Sequence, residues 1–359
     1  MTPDGSADYS NRSTSDTFIR GMKSTFGLFL CAGMLLMAPM SRAGTLDSVR
    51  EAGAISCGVI ENGRGLTEQD ASGRWHGFFI DYCRVLAAAA LGDPQRIIVK
   101  PLSTHRRFEA LQSGDIDVLM ANTTVTPSRN VAMAIDFPAI YYYDGQGFMA
   151  HKNVGGARFE EIDDRKVCVL GETTTANRLN DYIREHHKRL TPILFKDNEE
   201  SFNAFFVRSC DVVTTDRLVL TAQRALHAPD PSSYAIYPDV ISKEPLAPAV
   251  RSSDRQWSLI VKWAVLVPIA AEEMGITSSN VSSYALSQSP EVRRLLGLDP
   301  IINQNLGLAS GWGARIIESV GNYGEIFNRN LGMSTDLRLE RGLNALWNHG
   351  GLIYAPPFL

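Results

Sequence analysis

A polar run that ends in an arginine follows a short apolar stretch in the first half of the chain. The segment Gly114–Arg129 reads GDIDVLMANTTVTPSR. Its apolar residues at 116–120 have the length of a strand, and Thr126 before Pro127 is typical of a helix cap and a first helical residue. The amides and dipole of such a helix, together with Arg129, can bind one carboxylate. The alternative is an ordinary helix cap beside a solvated arginine.

A second group of polar residues lies further along the chain, again where strands are predicted to end. Thr173–Thr175 follow the predicted strand Lys166–Leu170, and Asp216 follows the predicted strand Cys210–Thr214. Ligands of open α/β sheets bind at the carboxyl ends of the strands. Hydroxyls, amides and Arg129 would therefore hold a carboxylate, while Asp216 would hold an ammonium. A zwitterionic amino acid carries both charges, and helix capping is the alternative for both polar groups.

Two series of alternating strands and helices must position these groups, a pattern typical of α/β units with largely parallel sheets. The first series has a strand at Ile55–Ile60, a helix at Phe78–Leu91, a strand at Ile97–Pro101 and a helix at His105–Ser113. Segments near Asp144–Lys152 and Ser242–Val250 are predicted to cross between two lobes, although a single crossing also fits the pattern. We predict lobe 1 at 44–146, lobe 2 at 147–246, and a return to lobe 1 with a helical C-terminal region at 247–359.

The first 43 residues are predicted to direct export. The 359-residue chain is 44% hydrophobic and 21% charged, which is enough to bury more than one core. Met22–Ala43 combines a lysine, an apolar run at 26–37 and small residues at its end, which is typical of a secretory signal peptide cleaved after Ala43. The apolar run is shorter than the roughly 20 residues that span a bilayer. The polar prefix Met1–Gly21 leaves open whether Met22 is the true start.

The charge and the cysteines of the exported chain restrict its partners. Without residues 1–43 the chain has 31 basic and 36 acidic residues, hence a net charge of −5. This mildly acidic net charge argues against nucleic acid or an anionic membrane as the partner. Four cysteines remain, with three possible pairings, and their clustering favours the disulfides Cys57–Cys83 and Cys168–Cys210. Because CxxC spacing and an accompanying histidine pair are absent from the sequence, we expect no metal site.

Several long segments resemble one protein family. They are FFIDYCR at 78–84, LQSGDIDVLMANTTVTPSR at 111–129, YYYDGQGFM at 141–149, CDVVTTD at 210–216, ISKEPLAPAVR at 241–251, VGNYGEIFNRN at 320–330 and LERGLNALWNHGGLIYAPP at 339–357. With them, residues 44–359 resemble the periplasmic solute-binding proteins of polar amino-acid ABC transporters (bacterial extracellular solute-binding protein family 3), most of all the general L-amino-acid branch. The resemblance implies a type II periplasmic binding protein fold, in which two α/β lobes with mostly parallel sheets flanked by helices are joined by a two-strand hinge.

The resemblance also implies a function and a set of site residues. The lobes would close on a free L-amino acid and present it to an inner-membrane ABC permease. We expect a periplasmic monomer that uses no cofactor and no covalent chemistry. Six residues match the family's ligand contacts: Asn122, Thr124 and Arg129 around the carboxylate in the first lobe, Thr173 and Thr174 as donors in the second lobe, and Asp216 as the acid for the α-ammonium.

The chain departs from the family's pattern at two places near the expected side-chain pocket. Glu172 stands where the family has a glycine before the threonine pair, so its carboxylate would repel the ligand carboxylate unless it turns outward. The loop Glu61–Gln69 reads ENGRGLTEQ and has Leu66 where an aromatic residue is common. Both departures could alter the ligand range, although solvated loops also vary without consequence. The aromatic run Tyr141–Tyr143 either borders the cleft or packs in the core.

Two other classes of function share this fold. Periplasmic cyclohexadienyl dehydratases resemble these binding proteins, and such an enzyme needs a positioned acid or base in the cleft. Glu172 and Glu61 are candidates without an evident partner, and His105 is predicted to be solvated at the start of a helix. A ligand-sensing binding protein is the other alternative. We expect binding and delivery of a free amino acid, and no enzymatic activity.

Overall fold

Strands and helices are interspersed up to residue 251, and the rest of the chain is mainly helical. A computed structural model describes residues 44–61 and 63–359, so the predicted prefix and signal peptide at 1–43 lie outside the described residues. In this described part, no helix is both long and apolar enough to cross a membrane. The α-helices are α1 (Thr45–Ala52), α2 (Phe78–Leu91), α3 (Arg107–Ser113), α4 (Pro127–Ala132), α5 (Thr174–Glu185), α6 (Asn198–Phe206), α7 (Arg217–His227), α8 (Arg255–Glu273), α9 (Pro290–Leu295), α10 (Pro300–Leu306), α11 (Trp312–Val320) and α12 (Tyr323–Asn330). The strands are β1 (Ile55–Ile60), β2 (Glu68–Gln69), β3 (Trp75–His76), β4 (Ile97–Leu102), β5 (Val118–Met120), β6 (Ile135–Asp136), β7 (Tyr142–Asp144), β8 (Gln146–His151), β9 (Arg165–Leu170), β10 (Leu190–Phe195), β11 (Val212–Asp216), β12 (Tyr234–Ile236), β13 (Glu244–Leu246) and β14 (Val250–Arg251).

Lobe 1 is built around a three-stranded parallel sheet in the order β4-β1-β5. The central strand β1 pairs with both neighbours, so that Cys57 lies opposite Val99 and Val118. Helix α2 is apolar along almost its whole length and is buried on nearly all sides. Helices α8, α11 and α12 pack against α2, so the C-terminal helices share the core of lobe 1.

Lobe 2 contains a five-stranded sheet in the order β10-β9-β11-β8-β12. Strands β10, β9 and β11 run parallel, as predicted, whereas β8 runs antiparallel to both of its neighbours, β11 and β12. The sheet is mixed because β8 carries the chain in from lobe 1 and pairs antiparallel with β11. Two separate apolar clusters, around Phe148 and around Phe205, form the core of this lobe. The two-lobe α/β fold is confirmed, with a mixed sheet in lobe 2.

Two chain segments cross between the lobes and pair with each other as a hinge ribbon. Strands β7 and β13 are antiparallel, with Asp144 opposite Glu244 and Tyr142 opposite Leu246. On the far edge of β13 runs the polar segment after β5, in which Thr124 forms a bridge with Leu246. The predicted ligand-binding loop is therefore attached directly to the hinge ribbon through β13. The residue boundaries of the lobes stay a prediction.

One disulfide lies in each lobe. Cys57 of β1 is bonded to Cys83 of α2, with their Cα atoms 6.2 Å apart. Cys168 of β9 is bonded to Cys210, just before β11, with their Cα atoms 5.7 Å apart. The structure has the pairing that the sequence favours among three. Because each bridge stays within one lobe, neither restrains movement at the hinge.

Candidate functional site

One narrow cavity between the lobes brings together all six predicted site residues. It lies at the carboxyl ends of strands β5, β9 and β11, which is the sheet edge where α/β proteins bind ligands. Lobe 1 contributes the loops after β4 and β5, and lobe 2 contributes the loops after β9, β10 and β11. Besides the predicted six, the cavity is lined by Thr104, Arg107, Leu170, Thr175, Asn198 and Thr215.

The lobe 1 wall is built around Arg129. As predicted, Thr126 caps helix α4: its hydroxyl accepts a hydrogen bond from the Arg129 amide over 3.3 Å, and Pro127 is the first helical residue. The Arg129 side chain is buried, and its Nη1 donates to the Thr124 carbonyl over 2.8 Å. Burial lowers the pKa of Arg129, and the nearby carboxyl of Asp216 counteracts this. Because α4 has only six residues, the guanidinium supplies the main positive charge rather than the helix dipole.

Thr173 has a structural role at the start of α5. Its hydroxyl donates to the Leu170 carbonyl over 2.7 Å and accepts from the Ala176 amide over 3.1 Å. A hydroxyl has one proton to donate, so this side chain is the helix cap named above as the alternative. Thr174 and Thr175 occupy the first turn of α5, where backbone amides have no partner within the helix. Lobe 2 therefore presents backbone N–H groups to the cavity.

Asp216 is placed to bind a cation. It ends β11 and precedes α7, but its side chain makes no capping hydrogen bond. Instead, its Oδ2 accepts a hydrogen bond of 2.6 Å from Asn122 Nδ2 across the cleft. Burial is the main cause that raises the pKa of Asp216 to about 8, and the carboxyls of Asp144 and Glu244 raise it further. A cationic ligand group would return this carboxyl to its charged form.

Two further carboxyl groups lie in the hinge ribbon, that of Asp144 half-buried and that of Glu244 buried. Asp144 accepts hydrogen bonds from the amides of Gly145 and Leu218 over 2.8 and 3.0 Å, and burial raises its pKa to about 7. Glu244 Oε1 accepts from the Ser242 hydroxyl over 2.6 Å, while its buried Oε2 has no hydrogen-bond partner in the described chain. Among the residues that the structure describes, no group of three or more His, Cys, Asp or Glu side chains could hold a metal ion.

Arg107 lines the cavity but is not among the predicted residues. Its side chain is only 5% exposed, and its buried Nε has no hydrogen-bond partner within residues 44–61 and 63–359. It lies over the Phe108 ring, 4.9 Å from the centroid. Burial lowers the pKa of Arg107 to about 9 and the charge of Arg129 lowers it further, while the carboxyl of Asp216 counteracts them. Since a buried charge without a close partner costs several kcal/mol, this position favours an anion from outside the chain.

The position of Arg107 was open to prediction from the sequence. It follows β4 at the same sheet edge where Asn122 and Thr124 follow β5. The predicted helix His105–Ser113 begins two residues later than expected, at Arg107, because its first turn is preceded by a turn built on the Ser103 carbonyl. The shift places the arginine at the amino end of α3, beside the cavity.

Glu172 turns away from the cavity, which is one of the two outcomes considered above. Its side chain is 89% exposed, and its Oε2 lies 3.7 Å from Nδ1 of His105 in lobe 1. Its backbone has φ of 54°, a left-handed conformation that glycine adopts with least strain, which explains the family's glycine at this position. The contact with His105 joins the two lobes, and both side chains remain in contact with solvent.

The loop Glu61–Gln69 packs mostly on lobe 1. Leu66 is fully buried in the lobe 1 core, and Glu68 accepts hydrogen bonds from residues within the loop. In the described part of this loop, Glu61 lines a side chamber of about 110 Å³, which shares Thr104 and Asn198 with the main cavity. The loop therefore reaches the site at one end only.

The aromatic run Tyr141–Tyr143 packs in the core at its first two positions. Tyr141 is fully buried, and its hydroxyl donates to the Ala121 carbonyl over 2.5 Å. Tyr142 is nearly buried in the same cluster. None of the three residues lines the cavity, so the packing alternative describes them.

Comparison with known proteins decides the family. A model of bacterial extracellular solute-binding proteins, family 3, matches residues 55–280. This range is more than half of the chain and contains every residue that lines the cavity. The chain belongs to this family. Helices α9 to α12 of the solute-binding protein lie beyond the matched range.

Relatives in this family align with nearly the whole chain. The solute-binding protein is 44% identical over 324 residues to the glutamate/glutamine/aspartate/asparagine-binding protein BztA of Rhodobacter capsulatus, which covers 90% of this chain and 96% of that protein. It is 44% identical over 322 residues to the general L-amino acid-binding periplasmic protein AapJ of Rhizobium johnstonii, which covers 89% and 94%. A solved ABC transporter periplasmic binding protein from Brucella ovis, with glutathione bound, has a TM-score of 0.85 and 41% identity, and covers 88% of this chain and 100% of that chain. These names do not favour the dehydratase alternative.

Proposed function

We propose that this solute-binding protein binds free L-amino acids that carry a second oxygen-bearing group at the end of the side chain, with L-glutamate and L-aspartate first. The proposal rests on the charged residues of the cavity. Arg107, Arg129 and Asp216 all line it and are more than nine-tenths buried. An acidic amino acid has two carboxylates and one ammonium, which is the complementary set. Each charge would gain a partner when this ligand is bound.

Each group of the ligand has a counterpart in this proposal. The α-carboxylate faces Arg129 and the amides at the start of α5, where the predicted Thr173 and Thr174 lie. The α-ammonium faces Asp216, and the distal carboxylate faces Arg107. A guanidinium also donates to a carboxamide oxygen, so L-glutamine and L-asparagine fit as weaker ligands. The relative BztA is named as a glutamate/glutamine/aspartate/asparagine-binding protein, which supports this class.

Closure follows from the way the charges are divided between the lobes. Both arginines belong to lobe 1, whereas Asp216 and the amides of α5 belong to lobe 2. Each hydrogen bond to a charged group contributes about 1.5–3 kcal/mol, and only the closed arrangement makes both sets. The ligand therefore stabilises the closed form by its difference in affinity for the two forms.

Calorimetry of the mature chain tests the proposal. Titrations with L-glutamate, L-aspartate, L-glutamine, L-alanine and L-arginine should rank the two acidic ligands first and L-arginine last. Arg107→Met should weaken L-glutamate binding about 10- to 100-fold and L-alanine binding much less, since it removes a charge-assisted contact to the side chain. Arg106→Met, at the exposed neighbouring position, is the matched control. L-arginine binding as tight as L-glutamate binding would contradict the proposal.

Glutathione is a second candidate ligand, because the Brucella ovis neighbour was solved with it bound. Its γ-glutamyl end has the same zwitterionic group as a free amino acid, and the side chamber adjoins the main cavity. Glu61, Asp197 and Glu199 line that chamber and would repel the glycyl carboxylate of glutathione. We therefore rank glutathione below L-glutamate, and the same titration with glutathione checks this order.

We further infer that the protein is a periplasmic monomer that delivers its ligand to an inner-membrane ABC permease. The relatives named as periplasmic or as ABC transporter proteins support this role. Uptake of radiolabelled L-glutamate should fall in cells that lack the gene and recover with the wild-type gene but not with Asp216→Asn. Unchanged uptake in the deletion strain would contradict the inference. Analytical ultracentrifugation of the purified chain measures its oligomeric state.

A further inference from the structure

The C-terminal segment 331–345 lies on the edge of the hinge ribbon away from the ligand-binding loop. At one edge of the ribbon, Thr124 forms a bridge with Leu246 of β13. At the other edge, the buried Asn344 side chain occupies the place of a further strand: its Oδ1 accepts from the Tyr143 amide over 2.7 Å, and its Nδ2 donates to the Tyr143 carbonyl over 3.0 Å. The site and this segment therefore lie on opposite edges of the ribbon.

Several contacts hold this segment to lobe 1. Arg341 forms an ion pair with Glu272 of α8 at 3.1 Å, and its guanidinium lies over the rings of Tyr323 and Phe327, 4.9 and 5.0 Å from their centroids. The Tyr323 hydroxyl donates to the carbonyl of Tyr141, just before β7, over 2.9 Å. The ion pair is about four-fifths buried on both sides, so it restrains the segment. The segment must therefore move with lobe 1.

Helix α7 of lobe 2 packs on the lobe 1 core through Leu218 and Ala222, and beyond this contact it faces the same segment across two gaps. A cavity of about 430 Å³ separates Leu343 from Leu218 of α7 and from Val240. A second cavity, of about 640 Å³, lies between Arg338 on the segment and Arg224 of α7. Helix α7 begins directly after Asp216, so a movement of this helix is coupled to a movement of the site. The gaps thus lie between the segment and the element that carries the ammonium-binding carboxyl.

These relationships give the segment a mechanical role. With the ribbon as the pivot, a rotation that parts the lobes at the ligand edge brings α7 towards the segment at the other edge. We propose that segment 331–345 is a stop that limits how far the lobes open, and that it thereby sets the ligand affinity without contacting the ligand. The segment lies beyond residue 280, where the family match ends, so the stop is an addition to the two-lobe clamp. Only the affinity part of this proposal rests on the proposed function.

Distance measurements on the ligand-free, full mature chain test the stop directly. Spin labels on Val131→Cys in lobe 1 and Val207→Cys in lobe 2, which are 81% and 75% exposed, report the separation of the lobes by pulsed electron resonance. Val240→Trp should fill the gap, shorten the mean distance and tighten L-glutamate binding about fivefold, because a larger fraction of the free protein is already closed. Leu286→Trp, at a highly exposed position outside both gaps, is the matched control.

Two more variants make the result independent of a single substitution. Leu343→Trp fills the same gap from the other wall and should give the same shift as Val240→Trp. Asn344→Ala removes both hydrogen bonds to Tyr143 and should broaden the distance distribution towards larger separations. The proposal is overturned if the folded Trp variants and Asn344→Ala all keep the wild-type distances. A protein that fails to bind L-glutamate still gives these distances, so failure of the proposed ligand is distinguishable from failure of the stop.

Discussion

Asn122 and Asp216 lie on opposite lobes and are joined across the cleft by a hydrogen bond of 2.6 Å between Nδ2 and Oδ2. The amide is a neutral donor, and it holds the carboxyl at the position where a ligand ammonium is expected. A charged ammonium is the stronger partner for this buried carboxyl. Oδ2 of Asp216 therefore takes part both in the contact between the lobes and in the expected binding of the ligand ammonium.

Removal of the Asp216 charge should abolish tight binding. Asp216→Asn leaves a ligand ammonium buried without its counter-charge, which costs about 2–5 kcal/mol, or a loss in affinity of at least about 30-fold. Calorimetry with L-glutamate measures the loss. Asp181→Asn, at a half-exposed carboxylate on α5 that forms an ion pair with Arg184, is the control and should bind as wild type. Wild-type affinity in Asp216→Asn would remove this residue from the site.

Ligand binding should release a proton near neutral pH. The pKa of Asp216 is about 8 in the ligand-free protein because of burial and the neighbouring acids Asp144 and Glu244. A bound ammonium lowers that pKa, so binding at pH 7 should release about one proton. Calorimetry in buffers with different ionisation enthalpies measures the number. Binding enthalpies that do not depend on the buffer would contradict the prediction.

The same carboxyl should make the ligand-free protein less stable as the pH rises. Between its ordinary value of 3.8 and about 8, folded Asp216 keeps a proton that the unfolded chain releases. The folded state then binds more protons, so the free energy of unfolding falls with pH by up to about 1.4 kcal/mol per unit. Urea denaturation of wild type and Asp216→Asn from pH 5 to pH 8 should show a smaller slope in the variant. Equal slopes would mean that this carboxyl is already ionised.

Replacement of Glu172 should change stability but not the ranking of ligands. Its side chain is 89% exposed and its φ is 54°, so Glu172→Gly relieves strain without removing a ligand contact. The gain is partly offset by the greater freedom of glycine in the unfolded chain, which leaves about 0–1 kcal/mol of added stability. Glu172→Ala keeps the strained backbone and serves as the control. A changed ligand ranking in Glu172→Gly would show that the carboxylate reaches the cavity.

The disulfide of lobe 2 should contribute to stability without affecting the hinge. Cys168 and Cys210 are separated by 42 residues. The loss of a bridge of this span costs about 3–4 kcal/mol in the chain-entropy model. The double variant Cys168→Ala with Cys210→Ala should therefore unfold at lower urea concentration, while the L-glutamate affinity of the folded protein stays within about twofold. A large loss of affinity at unchanged stability would contradict this division of roles.

Local patterns in the amino-acid sequence determine much of this protein. The alternating apolar runs predicted the α/β lobes, and the clustering of cysteines favoured the two disulfides. Thr126 before Pro127 identified the cap of α4, because capping depends on neighbouring residues alone. The rule that ligands bind at the carboxyl ends of strands then selected Arg129 and Asp216, which line one cavity in the structure.

Tertiary contacts decided what local pattern could not. Whether a threonine caps a helix or faces a ligand depends on which acceptor its single proton reaches, and for Thr173 this is the Leu170 carbonyl. The direction of the Glu172 side chain depends on a left-handed backbone, and the importance of Arg107 depends on the burial of its guanidinium in the cavity between the lobes. The packing of segment 331–345 against the hinge joins residues about 200 positions apart, as Tyr143 and Asn344 do. Such long-range contacts form only when the whole core is assembled, so sequence alone determined the kind of site, and the tertiary structure decided which side chains remain available to it.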